Sequence, residues 1–274
     1  MSLYTLDSKA LLGDDLSQGP NPCYVAVNQK KNLVFTANYH KAQVNVYNLN
    51  ADKTLTLVDS FVSDGKGPRL EQEASHLHFS DLTPDNRLAV VDLGSDRVFT
   101  FDVSDQGKLT LVSTYNAQAG YGPRHLVFHP NGKFAYLVGE LSSQIQTLAY
   151  NKEDGSFSLV QTLKTIPDDW TSHNGAAAIH ISKDGKFVYV SNRGHNSLAV
   201  FKVLDDFSLQ RIQLISTYGD FPRDFDLDPS QKFVLAANQN TDNATLYQRN
   251  EENGELTLVQ KDITLPEGVC VKFY

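Results

Sequence analysis

Short apolar runs, many alternating with a period of two, are separated along this chain by clusters of Asn, Asp, Gly and Pro. Period-two alternation marks strands with one wet face, and the punctuation marks hairpin turns. Five segments share one order: apolar strand, polar turn, apolar strand, loop, alternating strand, turn, closing strand. The first turn is the clearest landmark. It reads Asn28-Gln29-Lys30-Lys31, Thr83-Pro84-Asp85-Asn86, His129-Pro130-Asn131-Gly132, Ser182-Lys183-Asp184-Gly185 and Asp228-Pro229-Ser230-Gln231. With Gln29, Pro84, Pro130, Lys183 and Pro229 equivalent, the spacings are 55, 46, 53 and 46. That is the propeller-blade period of roughly 40 to 50 residues.

The pattern predicts an all-β chain, a β-propeller of four-stranded antiparallel blades. Runs such as Phe187-Val188-Tyr189-Val190 supply second strands, Val98-Phe99-Thr100-Phe101 a third, and Leu109-Thr110-Leu111-Val112 a fourth. A β-sandwich is the alternative, but it does not require so regular a four-strand unit. The expected organisation is a single domain over residues 1–274. Its blades fall near 20–60, 75–115, 121–163, 174–215 and 220–261, with partial pieces at 1–18 and 266–274. Residues 4–18 read as a third and fourth strand. Residues 268–274 read as a lone first strand able to pack beside them.

Composition narrows the partners. Hydrophobic residues make up 41% and charged residues 20% of the chain, an ordinary globular balance. The net charge of −8 argues against nucleic acid and anionic membrane, which need surplus Lys and Arg. Cys23 and Cys270 are the two cysteines, too few for a disulfide framework and without zinc spacing. No window reaches the roughly 18 to 20 apolar residues of a membrane span, and the first residues lack the pattern of a signal peptide. A cytoplasmic location is the expectation.

The repeat also locates candidate chemistry. Six residues before each turn marker stand Cys23, His78, Arg124, Ala177 and Arg223; ten after it stand Tyr39, Gly94, Glu140, Arg193 and Gln239. Consecutive strands are antiparallel, so first-strand starts and second-strand ends share one sheet edge. Arg and Glu at such positions suggest a site rather than scaffold; the plain alternative is a solvated rim with Glu140 and Arg193 as an ion pair. His76 and His78, two apart, face one way and could pair on a metal, but no third ligand is evident, so neither metal nor cofactor is expected. His125 should face away from Arg124 and pack in the core. His129 and His180 fit structural hydrogen bonds at turns, and His173 precedes a first strand and could reach the same edge.

Gly67-Pro68-Arg69 followed by Gln72-Glu73 and His76-Leu77-His78, then Asp92-Leu93-Gly94-Ser95-Asp96-Arg97-Val98, resembles the seven-bladed β-propeller lactonase family. Gly122-Pro123-Arg124-His125, Asn192-Arg193 and Phe221-Pro222-Arg223-Asp224-Phe225 extend the resemblance over nearly the whole chain. The family includes propeller-type 6-phosphogluconolactonases and carboxymuconate-lactonizing enzymes. This chain reads as about one and a half N-terminal blades short of the family's seven. The resemblance implies a hydrolase of carbohydrate metabolism opening a sugar lactone, with 6-phosphogluconolactone, from the pentose phosphate pathway, as substrate. It implies catalytic His78, Arg124, Glu140 and Arg193. Glu140 would orient or deprotonate water, His78 would shuttle the proton, and the arginines would hold the oxyanion or anionic group. Arg223, His76, Arg69 and His173 are candidate contacts to the anionic small-molecule substrate. No GxSxG nucleophile is present. A lactonizing cycloisomerase and a non-catalytic propeller scaffold are the alternative functions.

Overall fold

β-branched and aromatic residues on alternating positions become strands almost wherever the pattern calls for them. The computed structural model describes residues 2–4, 11–14 and 19–273. Among these residues the regular structure is strand, apart from two single-turn 3-10 helices, Leu70–Gln72 and Gln239–Thr241. Five sheets, I to V, occupy residues 24–62, 77–116, 123–164, 175–216 and 222–264. Each is a four-stranded antiparallel meander in which chain neighbours are sheet neighbours, the blade of a β-propeller. Ser2–Tyr4 and Leu11–Asp14 form a further two-stranded antiparallel pair. Residues 5–10 and 15–18, also expected to contribute to strands, lie outside the described residues, as does Tyr274. The C-terminal expectation is corrected. Residues 268–273 form no strand; instead Val271 N donates to the Asp224 carboxylate of sheet V at 2.8 Å. A strand needs a free edge in register, and this segment finds a side-chain acceptor instead.

Contacts divide the chain into two compact units, Met1–Pro123 with Asn151–Phe157 and Arg124–Tyr150 with Ser158–Tyr274. In the first, Phe35, Val46, Leu77, Val90, Phe99 and Phe101 of sheets I and II form one buried cluster. In the second, sheet IV has a core on each face. Val138, Val190 and Phe201 lie in one, and Tyr189, Val200, Phe225 and Tyr247 in the other. Each such side chain contributes about 1.5–3 kcal/mol by leaving water.

Two polar devices recur between successive sheets within a unit. Near the inner edge, a polar residue at the end of the second strand, or one before it, grips the Ser or Thr just past the preceding sheet. Asp92 accepts from Ser63 at 2.6 Å, Asn192 accepts from Thr165 at 2.7 Å, and Asn238 donates to the Thr217 carbonyl at 3.0 Å. All six residues are buried. Near the outer edge, a side chain bonds the start of the next closing strand. Asp59 accepts from Leu109 N, while the amides of Gln161 and Gln213 each both accept from and donate to the backbone of Leu209 and Leu256.

The turn in sheet II is one residue shorter than its counterparts. Thr83 N donates to Arg87 O, whereas His129, Ser182 and Asp228 donate five residues ahead, to Phe134, Phe187 and Phe233. The hairpin register follows: Asp92 pairs with Arg97 as Asn38 pairs with Gln43, Asn192 with Ser197 and Asn238 with Asn243. The residue equivalent to Glu140 and Arg193 in sheet II is therefore Leu93. The expectation of Gly94, obtained by constant counting, is off by that missing residue.

Candidate functional site

The first strands explain how bulky polar residues reach the sheet edge. In sheet II the register slips between Leu77 and Phe79, leaving His78 as the extra residue; in sheet V it slips between Pro222 and Asp224, leaving Arg223. A β-bulge kinks the strand and re-aims the side chain it carries. Sheet IV has its irregularity between Ala176 and Ile179.

In the second unit three predicted residues converge. Arg124 starts sheet III within Pro123–Phe128, Glu140 follows that sheet's second strand Phe134–Gly139, and Arg193 ends the second strand of sheet IV, Phe187–Arg193. Glu140 bridges the two arginines. Its Oε2 lies 3.0 Å from Arg124 Nε, and its Oε1 lies 2.8 Å from Arg193 Nη2. The arginine side chains are 3% and 7% exposed against 21% for Glu140, so the arginines are walls and the carboxylate is reachable. Charged groups this buried persist only when paired. Two guanidinium charges against one carboxylate leave the trio formally positive, within a chain of net charge −8, and therefore receptive to an anion.

Arg193 is fixed on several sides. Nε donates to Gly175 O at 3.1 Å, Nη2 donates to Ala176 O at 3.4 Å, and the guanidinium sits 5.0 Å from the centre of the Phe221 ring. Among the described residues Nη1 has no protein hydrogen-bond partner, which leaves that nitrogen available to a ligand. Gly175 is needed for closeness, because a Cβ there would stand 3.1 Å from Arg193 Nη2. Ala176 N donates to Glu140 O at 3.2 Å, tying the backbones of sheets III and IV at the same place. His125 meets Arg124 despite their alternate places on the strand: its Nε2 lies 3.4 Å from Arg124 Nη1. The arginine side chain is long enough to bring its head back to the next residue, which strand alternation alone does not anticipate.

His173 is exposed, and its carbonyl packs against Gly194, a residue at φ 112° where any Cβ would overlap that oxygen. Arg223 is half-buried at its bulge. His129 accepts from Asn131 N within its own turn at 3.1 Å, and His180 of sheet IV lies 3.8 and 3.4 Å from Asp224 and Asp226 of sheet V.

In the first unit His78 is 5% exposed, edge-on to the Tyr39 ring at 6.0 Å. His76 stacks flat on Tyr39 at 4.1 Å; Nδ1 lies 3.1 Å from Tyr39 O and Nε2 lies 3.2 Å from Glu73. Both His76 nitrogens are thus engaged by protein. Arg69 is exposed and donates through Nε to Gly120 O at 2.8 Å. Among the described residues no three His, Cys, Asp or Glu side chains converge so as to hold a metal ion.

Two supports escaped the sequence reading. Buried Gln72 donates to Leu93 O and Asp96, both at 2.8 Å. Asp96 also accepts from Gly120 N and Gly122 N, at 2.7 Å each, in the loop before Pro123. Phe221, with φ 64°, is the other; an aromatic residue gives no hint of left-handed backbone.

Comparison with known proteins points to one family. The family model described as "Lactonase, 7-bladed beta-propeller" matches residues 2–273. A 6-phosphogluconolactonase of Bacillus subtilis (strain 168) is 41% identical, covering 100% of this chain and 80% of its own length. A crystal structure of a Lactobacillus plantarum protein superposes with TM-score 0.97 at 55% identity, over 98% of this chain and 80% of that one. The periplasmic gluconolactonase of Pseudomonas aeruginosa superposes with TM-score 0.90 at 29% identity, over 97% and 77%.

Proposed function

The chain belongs to the seven-bladed β-propeller lactonase family, and from that premise we propose that it hydrolyses a sugar lactone bearing an anionic group, with 6-phosphogluconolactone as the substrate. The observation that carries the reading is the bridged trio: Glu140 holding two buried guanidinium groups, with Arg193 Nη1 left for a ligand. A guanidinium offers paired N–H donors to phosphate, carboxylate or a developing oxyanion. The Bacillus relative's name supports the phosphorylated substrate.

In the proposed reaction a water oxygen attacks the lactone carbonyl carbon. The carbonyl oxygen becomes an oxyanion stabilised by a guanidinium, worth about 3–4 kcal/mol in comparable donor sites. The ring C–O bond then breaks, and the released alkoxide takes a proton, giving the hydroxy acid. Both Glu140 oxygens are already ion-paired with an arginine, so placing water's proton on either would disrupt a pair. We therefore assign Glu140 to holding the arginines and orienting water. His78 is assigned to moving the proton, a part that an imidazole suits; that role rests on the family resemblance.

The test follows release of acid from 6-phosphogluconolactone, with the spontaneous rate subtracted, for wild type, Arg124→Ala, Arg193→Ala and His78→Asn. A catalysed wild-type rate that falls at least about 100-fold in each arginine variant, with melting profiles retained, supports the reading. Wild-type activity unaltered in all three sinks it. Lactone formation from a muconate without lactone hydrolysis would favour a cycloisomerase.

A further inference from the structure

Phe221 lies immediately before the first strand of sheet V, Pro222–Leu227, in left-handed backbone at φ 64°. Bulky residues there are strained outliers, and Pro222 restricts the residue before it further. The conformation is held from both sides. Phe221 N donates to Asn196 Oδ1 at 3.0 Å, and Phe221 O accepts from Gln239 N at 3.0 Å. Asn196 is itself left-handed, at φ 54°, and its Nδ2 donates to Asp220 Oδ1 at 2.8 Å. Asp220 Oδ2 accepts from Asn240 Nδ2 at 2.8 Å. The turn after the second strand of sheet IV thus clamps the entrance to sheet V. What the clamp presents is an aromatic face 5.0 Å beneath the Arg193 guanidinium.

We infer that Phe221 is a positioning residue for Arg193. Gly175 O fixes Nε, Glu140 and Ala176 O fix Nη2, and the ring sets the guanidinium plane so that Nη1 faces the ligand. A glycine or asparagine would occupy this backbone without strain, but neither offers a ring. Strain maintained at a site points to a use for the residue that bears it. The inference rests on the reading of Arg193 as a contact to the substrate anion.

The test has a kinetic and a spectroscopic arm, both on the full chain. Phe221→Leu should lower kcat/KM for the phosphorylated lactone about tenfold, the effect of losing a partly desolvated cation–π contact, and Phe221→Tyr should stay within about threefold of wild type. In an Arg193→Lys background Phe221→Leu should add little, because the oriented fork is already gone. The second arm reads the Arg193 Nε–H signal in a 15N-labelled sample, assigned by its loss in Arg193→Lys. It should be shifted upfield by the ring and exchange slowly, and in Phe221→Leu it should return downfield and exchange faster. Equal losses in wild-type and Arg193→Lys backgrounds, or an unshifted Arg193 signal in the wild type, would overturn the inference. The wild-type spectrum decides even if Phe221→Leu fails to fold. If the wild type shows no lactonase activity, the functional reading fails while the spectroscopic arm still judges the positioning.

Discussion

Replacing Glu140 by glutamine keeps the shape and removes the charge, which separates holding two arginines from taking a proton. Gln can accept from one guanidinium, but its amide N–H groups would face the other, leaving two buried positive charges poorly compensated. Glu140→Gln is expected to lower stability by about 2 kcal/mol, read by urea denaturation, and to cut kcat/KM along with it. A variant of wild-type stability with only kcat reduced would instead favour a proton-transfer role. Gly175→Ala makes a gentler probe. Its methyl would stand 3.1 Å from Arg193 Nη2, so the guanidinium must shift by tenths of an ångström, and turnover should fall with little change in melting temperature. The trio was legible in the sequence because charged residues at equivalent repeat positions are conspicuous. Phe221 and Gln72 were not, since one acts through its backbone conformation and the other through a long-range amide bond.

Strands and turns were legible for a local reason: a turn and the alternation around it are written in contiguous residues. What escaped depends on pairing at a distance. The missing residue in the Thr83–Arg87 turn and the bulges at His78 and Arg223 are properties of register between two strands. The C-terminal Val269-Cys270-Val271 alternation suggested a strand, but among the described residues no strand edge takes it up. The hydroxyl grips between sheets carry an element-scale prediction. Asn192 accepts from the Thr165 hydroxyl at 2.7 Å and donates to the Thr165 carbonyl at 3.1 Å, all fully buried. Asn192→Ala strips the buried Thr165 carbonyl of its donor, while the Thr165 hydroxyl keeps Ser143 O, and should cost about 1–3 kcal/mol. Asn50→Ala, half-buried on a hairpin of sheet I and donating only to the exposed Thr54 and Thr56 hydroxyls, should cost about 1 kcal/mol or less. Chemical denaturation of the two variants compares them directly.

For the molecule as a whole, ionisable groups bound the pH range of stability. Asn240 and then Asn196 hold the Asp220 carboxyl below its ordinary 3.8 by donating to it. Burial would raise Asp228, but donation from the Ser230 hydroxyl and from nearby backbone N–H groups outweighs it. A depressed carboxylate adds stability that is fully present above the ordinary value and is lost as pH falls through the folded one. At the other end, burial pushes Tyr115 and Tyr189 up to about 12 from 10.0; their contribution is present below 10.0 and lost as pH rises toward 12. The melting temperature should therefore be flat between these limits, fall below about pH 4, and fall again in strong alkali. A melting temperature that climbs as acid is added would contradict this assignment.

The bridge at Glu140 also governs how such chains can be recombined. Arg124 and Glu140 come from sheet III and Arg193 from sheet IV, so a chimera exchanging sheet III alone with a divergent relative imports one half of an interlocked charge cluster and discards the other. The transferable module is the pair of sheets, and crossovers placed after residue 216 keep it intact.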